Sequence, residues 1–431
     1  MFQSTNRKSK LVSFREAVFK GTADDGGLFM PVEIPKLPNE FLTNINNLSF
    51  QEISFFIAKN LIGDEIPSNE LKKLIDESIN FDTPLVGLDN NIGILELFHG
   101  PTLAFKDFGA RFLAKVLFHF NRGQDRDINI LVATSGDTGS AVASGFYNIK
   151  GIKVFLLYPS GKVSHIQEQQ LCTFGGNITA LEVEGTFDDC QRMVKQAFES
   201  NEINEKLVLT SANSINFARL LPQSFYYFYA YRQTNDKTKP LIFSVPCGNF
   251  GNLTGGLIAE RMGLPVFKFI AATNINDVFP MYLKTKTFAP KPSIMTISNA
   301  MDVGNPSNFS RIMYLFDNWG LISEKIFGAS FSDELTINAM KEIFEKYNYI
   351  IDPHGAVGFL GLKKYIELKK MNHLNGIILE TAHPAKFVDT VEKAIQIKIK
   401  TPSGLEEILK KKKASIRISN NFSELKEILL N

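Results

Sequence analysis

The sequence predicts an α/β protein: two doubly wound open-sheet domains preceded by a mainly helical N-terminal extension. Three observations lead there. Short apolar runs rich in β-branched residues recur along the chain: INILVAT (128–134), KVFLLYP (153–159), NITALEV (177–183), LIFSV (241–245), FKFIAAT (267–273) and GIILET (376–381). Runs of that kind are strands buried on both faces. Helix-like segments follow most of them, among them GSAVASGFYN, FDDCQRMVKQAFES and NLTGGLIAERMG, and strand alternating with helix predicts parallel sheets covered on both sides. The units are too many for one small sheet, so the pattern divides in two, with a switch near 210–240.

The N-terminal segments SFQEISFFIAKNLIG and NELKKLIDESIN carry apolar residues at amphipathic spacing, which predicts helices. Residues 1–85 therefore form the helical region. Residues 106–225 make a smaller α/β domain, and 86–105 together with 226–431 a larger one. The tail from 401 is rich in Lys and Leu. Its KKKK run is flanked by acidic residues, so it reads as a solvated helix end rather than a nucleic-acid site.

Composition excludes several function classes. Basic and acidic residues are nearly balanced, 47 against 45, which argues against nucleic acid or a membrane surface as main partner. Three widely spaced cysteines, Cys172, Cys190 and Cys247, form neither a disulfide framework nor a metal pair and fit a reducing compartment. The polar start MFQSTNRKSK has no apolar stretch behind it, so a cytoplasmic protein is expected. The greasiest stretch, FARLLPQSFYYFYAY, is too short to span a bilayer and contains Arg219, Pro222 and Gln223. No metal site is expected, because no His/Cys/Asp spacing suits one.

The informative loops follow strands, where open α/β sheets bind ligands. They are SGDTGS (135–140), CGNFGN (247–252) and AHPAKF (382–387). The glycine-rich turn before NLTGG would aim backbone N–H groups and a helix N-terminus at an anion such as phosphate. A tight strand-to-helix turn without ligand has the same pattern. The nucleotide patterns GxxxxGK[ST] and GxGxxG are absent, so a smaller phosphorylated cofactor suits this cup. In the SGDTG loop, Ser135, Thr138 and local N–H groups could hold a carboxylate. The plainer alternative is a capped helix start, with Ser135 or Asp137 as N-cap.

HGPTLAFKDFGARF (99–112) contributes a lysine in apolar surroundings, Lys106. A phosphate cup, a carboxylate cup and such a lysine are what pyridoxal phosphate chemistry needs. The amine forms a Schiff base with the cofactor aldehyde, and an apolar setting keeps it unprotonated and nucleophilic. The cofactor is the electron sink, and the protein supplies position and electrostatics.

These motifs, in this order, resemble those of the threonine synthases, bacterial and fungal branch, among fold-type II pyridoxal phosphate enzymes. The resemblance runs through SFREAVFKGTADDGGLFMP, LELFHGPTLAFKDFGARF, LVATSGDTGSAVA, SANSINFARLLPQ and VPCGNFGNLTGGLIAERMGLP. It continues through FIAATNINDV, SNAMDVGNPSN, DPHGAVG and TAHPAKF. Nothing is carried over for the linker around 232–240 or the final forty residues. The resemblance implies a fold like the tryptophan synthase β subunit, with the cofactor in the larger domain.

It also implies residue roles. Lys106 would hold the cofactor. Gly248, Asn249, Phe250, Gly251 and Asn252 would bind its phosphate, and Thr381 would face its pyridine nitrogen with a neutral hydroxyl. Ser135, Asp137 and Thr138 would contact substrate, with Asp137 standing where related enzymes often have asparagine. A substrate phosphate would need a second anion site, for which SANSINFARLLPQ offers Ser214, Asn216 and Arg219. Arginine is the natural bidentate partner, and its apolar neighbours would make it costly unpaired. Lys162 is a secondary candidate, and a surface ion pair is the alternative for Arg219. His99, His354 and His383 are expected to be packed, hydrogen-bonded residues. The implied activity converts O-phospho-L-homoserine and water to L-threonine and phosphate, in a monomer or weak homodimer. A phospholyase on the same fold, ending at a 2-oxo acid, and a non-catalytic small-molecule sensor are the alternatives.

Overall fold

A computed structural model describes residues 1–431. The N-terminal region opens with β1 (Phe2–Ser4), which pairs antiparallel with β2 (Phe29–Pro31). It is otherwise helical, including helices Phe50–Ile62 and Ser68–Ser78. Ser49 accepts from the Glu52 amide while the Glu52 carboxylate accepts from the Ser49 amide, so the first of these helices starts where its sequence satisfies two otherwise orphaned donors.

Two sheets follow. The first strands of the larger one are β3 (Leu85–Gly87) and β4 (Ile92–Glu96), which pair antiparallel. The chain then builds the smaller sheet from β5 (Ile128–Ala133), β6 (Ile152–Pro159), β7 (Ile178–Glu184) and β8 (Val208–Thr210). It returns to the larger with β9 (Leu241–Pro246), β10 (Val266–Thr273), β11 (Ile326–Ser330) and β12 (Asn375–Glu380). The larger sheet has the order β11-β10-β9-β12-β4-β3, parallel apart from β3. All six strands expected from apolar runs are present. Those that the runs did not reveal are short or half-buried, such as β11.

One boundary needs correction. The last strand, β13 (Ser415–Ser419), pairs parallel with β7 and becomes an edge of the smaller sheet, giving β13-β7-β6-β5-β8. Ile418, Leu425 and Leu429 pack into that domain's core with Leu181, Val183 and Cys190. The tail therefore belongs to the smaller domain, not to the larger. The KKKK run also differs from a simple solvated end. Lys410, Lys411 and Lys412 are exposed, but Lys413 reaches Glu168 and Glu182, each at 2.6 Å. No helix is long and apolar enough to cross a membrane. FARLLPQSFYYFYAY instead spans short helices in which Phe225, Tyr226, Tyr227 and Phe228 are fully buried.

Because the strands are parallel, the loops after β5, β9 and β12 all leave from carboxyl ends. They are the three that composition singled out.

Candidate active site

Lys106 is positioned by a short antiparallel ladder. The Phe105 amide donates to the Thr381 carbonyl at 2.9 Å, and the His383 amide to the Leu103 carbonyl at 3.0 Å, with Ala104 opposite Ala382 between them. Leu103 takes a positive φ of 58°, which turns the chain so that the helix Lys106–Asn121 begins at the lysine. Asp107 locks this start: its carboxylate accepts from the Thr102 amide at 2.8 Å and hydroxyl at 2.7 Å. Burial pushes Asp107 up to about 6 despite those bonds.

The Lys106 Nζ lies 3.9 Å from Asp137 Oδ2 and 5.9 Å from the centre of the Phe105 ring. Burial pulls the amine below the ordinary lysine range. Asp137 opposes this fall, while the charges of Lys386 and Arg219 add to it. The structure thus supplies the apolar, electropositive setting that favours a free amine.

The SGDTG loop differs from expectation in detail. Neither Ser135 nor Asp137 caps the helix Asp137–Phe146. Thr134 does this work: its hydroxyl accepts from the amides of Gly136, at 3.1 Å, and Gly139, at 2.9 Å. Gly136 has φ +144°, and a Cβ there would lie 2.5 Å from the Gln167 amide carbon, so only glycine fits. Ser135 is exposed and Thr138 half-buried. Asp137 is buried and committed to cations and an amide: Lys386 Nζ at 2.7 Å, Gln167 Nε2 at 3.0 Å, and Lys106 beyond. Burial alone would raise its carboxyl, but Lys386 and Lys106 hold it well below the usual range. The contacts of Asp137 in the protein are thus to the two lysines and Gln167.

The glycine cup opens the helix Gly251–Arg261. Phe250 precedes it at φ +60°, and no side chain caps its first turn. Asn249 is fixed from several sides: its Nδ2 donates to Ser214 Oγ at 2.6 Å and its Oδ1 accepts from the Ser307 amide at 2.6 Å. Asn252 Oδ1 accepts from the hydroxyls of Tyr226, at 2.7 Å, and Tyr227, at 2.9 Å. Its Nδ2 is buried without a partner. The two glycines differ. A Cβ on Gly248 would meet the Ala300 carbonyl oxygen at 2.7 Å, whereas on Gly251 the nearest atom would be 3.6 Å away.

Packing joins cup and lysine. Phe108 stacks edge-on against Tyr226, with ring centres 5.3 Å apart. Gln223 lies beside Gly251 and donates to the Arg219 carbonyl at 3.0 Å. Arg219 is buried, not a surface ion pair. Its Nη1 donates to the Ala212 carbonyl, its Nε is buried with no acceptor, and burial lowers it to about 10. It is a cation with donors to spare. Asn216 is not free in this way. Its Oδ1 caps the amide of Ala218 at 3.1 Å, and its Nδ2 donates to the carbonyls of Val18, at 2.8 Å, and Ser211, at 3.1 Å. With these bonds to backbone, Asn216 shapes the loop. Lys162 is exposed in the loop after β6.

His354 meets Asp352 through Nδ1 at 2.6 Å while its Nε2 accepts from the Ala300 amide at 3.2 Å, bracing the wall behind Gly248. His383 accepts from the Ala385 amide at 3.0 Å, and His99 meets Glu96 at 2.7 Å. The three cysteines are free and buried. Sequence reasoning missed Lys386, Gln167 and Asp107. Lys386 carried a usable signal: in PAKF it has the same apolar flanks that drew attention to Lys106. Its side chain is fully buried.

The chain matches three family models: "Pyridoxal-phosphate dependent enzyme" over residues 79–377, "Threonine synthase N terminus" over 1–79, and "Threonine synthase, C-terminal" over 355–429. The last includes the tail that the motifs left out. The chain is 46% identical over 428 residues to the threonine synthase of Buchnera aphidicola subsp. Baizongia pistaciae, covering 98% of each. The crystal structure of threonine synthase from Escherichia coli superposes with a TM-score of 0.93 at 41% identity, covering 100% of this chain and 99% of that one. The pyridoxal phosphate-bound enzyme from Brucella melitensis gives 0.93 at 32% identity, covering 100% and 98%.

Proposed function

The chain belongs to the threonine synthase family of pyridoxal phosphate enzymes, and on that premise we propose the part each site residue takes in its reaction. The enzyme converts O-phospho-L-homoserine and water to L-threonine and phosphate. The residues present fit the cofactor. A buried amine, an uncapped helix N-terminus and a glycine that tolerates a Cβ in the protein alone leave both ends of the cofactor something to bind. When bound, pyridoxal phosphate supplies the electron sink that carbanion chemistry at the α- and β-carbons needs.

Lys106 would hold the cofactor, and its buried amine would take the α-proton and move protons at the β-carbon. The amides of Gly248, Asn249, Phe250, Gly251 and Asn252 would hold the cofactor phosphate, with the Asn252 Nδ2 a further free donor. Thr381, whose carbonyl accepts from the Phe105 amide, would offer the cofactor ring a hydroxyl that cannot carry charge. Ser135, Thr138 and the amides beside them take the substrate carboxylate, and the exposure of Ser135 supports approach from solvent. Arg219 and Ser214 take the substrate phosphate as it leaves the γ-carbon. Closure of the smaller domain on the larger excludes water until it is needed at the β-carbon.

The observation that carries this reading is the ladder joining Lys106 to Thr381. Buried free thiols support a reducing cytoplasm, and balanced charge supports the absence of a nucleic-acid partner. Incubation with O-phospho-L-homoserine followed by amino-acid analysis tests the function. Threonine equimolar with phosphate is expected, and a 2-oxo acid with phosphate overturns it.

A further inference from the structure

Two buried lysines share one aspartate. Lys386 Nζ sits 2.7 Å from Asp137 Oδ1, whereas Lys106 Nζ is 3.9 Å from Oδ2. Lys386 is fully buried, and its remaining protein acceptor is the Thr102 carbonyl at 3.0 Å. The charged groups around Lys106 come from three elements: Asp137 after β5, Lys386 after β12, and Arg219 from the helix Phe217–Leu220. Asp107, on its own helix, is bonded to Thr102.

With Lys106 protonated, these groups carry three positive charges against two negative. With Lys106 neutral they balance. A buried site favours balance, since an uncompensated charge in low dielectric is costly. The closer lysine takes the carboxylate, and the other is left without a full counter-ion.

We propose that Lys386 is a positioning residue for the reaction, which by occupying Asp137 keeps Lys106 a neutral amine. The proposal rests on Lys106 being the cofactor lysine. It gives Asp137 a reason to be aspartate where an amide could not anchor a second lysine.

The test uses the full-length protein freed of cofactor, labelled with limiting dinitrofluorobenzene from neutral to strongly alkaline pH, with Lys106 read by peptide mass. Lys386→Met leaves Asp137 to Lys106, so the labelling midpoint should rise by about 1–2 pH units. Asp137→Asn leaves Lys386 unneutralised beside Lys106, so the midpoint should fall. Lys386→Arg keeps the charge and should keep the wild-type profile. An unshifted midpoint in either of the first two, or a Met-like shift in the arginine variant, overturns the proposal. The two opposite shifts keep it testable if one variant does not fold. Borohydride reduction of the holoenzyme separates this from the wider reading. Cofactor fixed to Lys386 or any other lysine overturns both, whereas cofactor on Lys106 with an unshifted midpoint overturns only the role of Lys386.

Discussion

The Phe105 amide and the Thr381 carbonyl are joined at 2.9 Å. This bond ties the residue before Lys106 to the residue that follows β12. It joins the N-cap of the helix Lys106–Asn121 to the loop after β12. Lys106 therefore keeps its distance from Thr381 even if the domains shift about it.

Lys106→Ala should abolish threonine formation and the visible cofactor band while leaving the fold intact. The side chain makes no close hydrogen bond, its nearest partner being 3.9 Å away. Absorbance, product analysis and circular dichroism check this. Wild-type turnover in the variant would falsify the assignment.

The two cup glycines should respond differently to a side chain. A Cβ at Gly251 meets only ordinary contacts in the protein itself, so Gly251→Val should raise the Kd for pyridoxal phosphate about tenfold or more, ~1.4 kcal/mol. The cofactor-free protein should melt within about 2 °C of wild type. Gly248→Ala instead drives a Cβ against the Ala300 carbonyl and should cost about 1–3 kcal/mol of stability. Cofactor titration and thermal melting distinguish them. An unchanged Kd in the valine variant means that the loop serves only as a turn.

Arg219→Ala should retain bound cofactor but bind the phosphorylated substrate poorly. Loss of a charge-assisted partner costs about 2–4 kcal/mol, a fall of about 30- to 1000-fold in kcat/KM. Homoserine, with no phosphate to place, should bind as before, seen in its effect on the visible spectrum. Equal losses for both ligands assign Arg219 to the fold and make Lys162 the next residue to test.

Asp107 predicts a pH signature in stability. Its carboxyl is raised from 3.8 to about 6 in the folded protein, so the folded state binds the extra proton between those values. Its contribution to stability is present below about pH 4 and is lost as pH rises through about 6, by up to about 3 kcal/mol. Asp107→Asn removes this titration. Denaturant unfolding of both proteins across that range should show the variant gaining on wild type as pH rises, and parallel curves would show that Asp107 keeps an ordinary acidity.

The sequence by itself determined the α/β class, the buried parallel strands and the placing of three glycine- or proline-bearing loops at strand ends. Each is written in a short window: an apolar run, or a turn carrying glycine or proline. Only the tertiary structure decided which oxygen of Asp137 goes to which lysine, that Asn216 is spent on Val18 and Ser211, that Thr134 rather than Ser135 caps its loop, and that the tail joins the smaller sheet through β13. Most of those pairings join residues far apart in the chain, and even the Thr134 cap depends on how the whole loop turns. Their hydrogen bonds form only after the domains have packed. Periodicity reports which face of an element is buried, but not which distant atom waits on the other side.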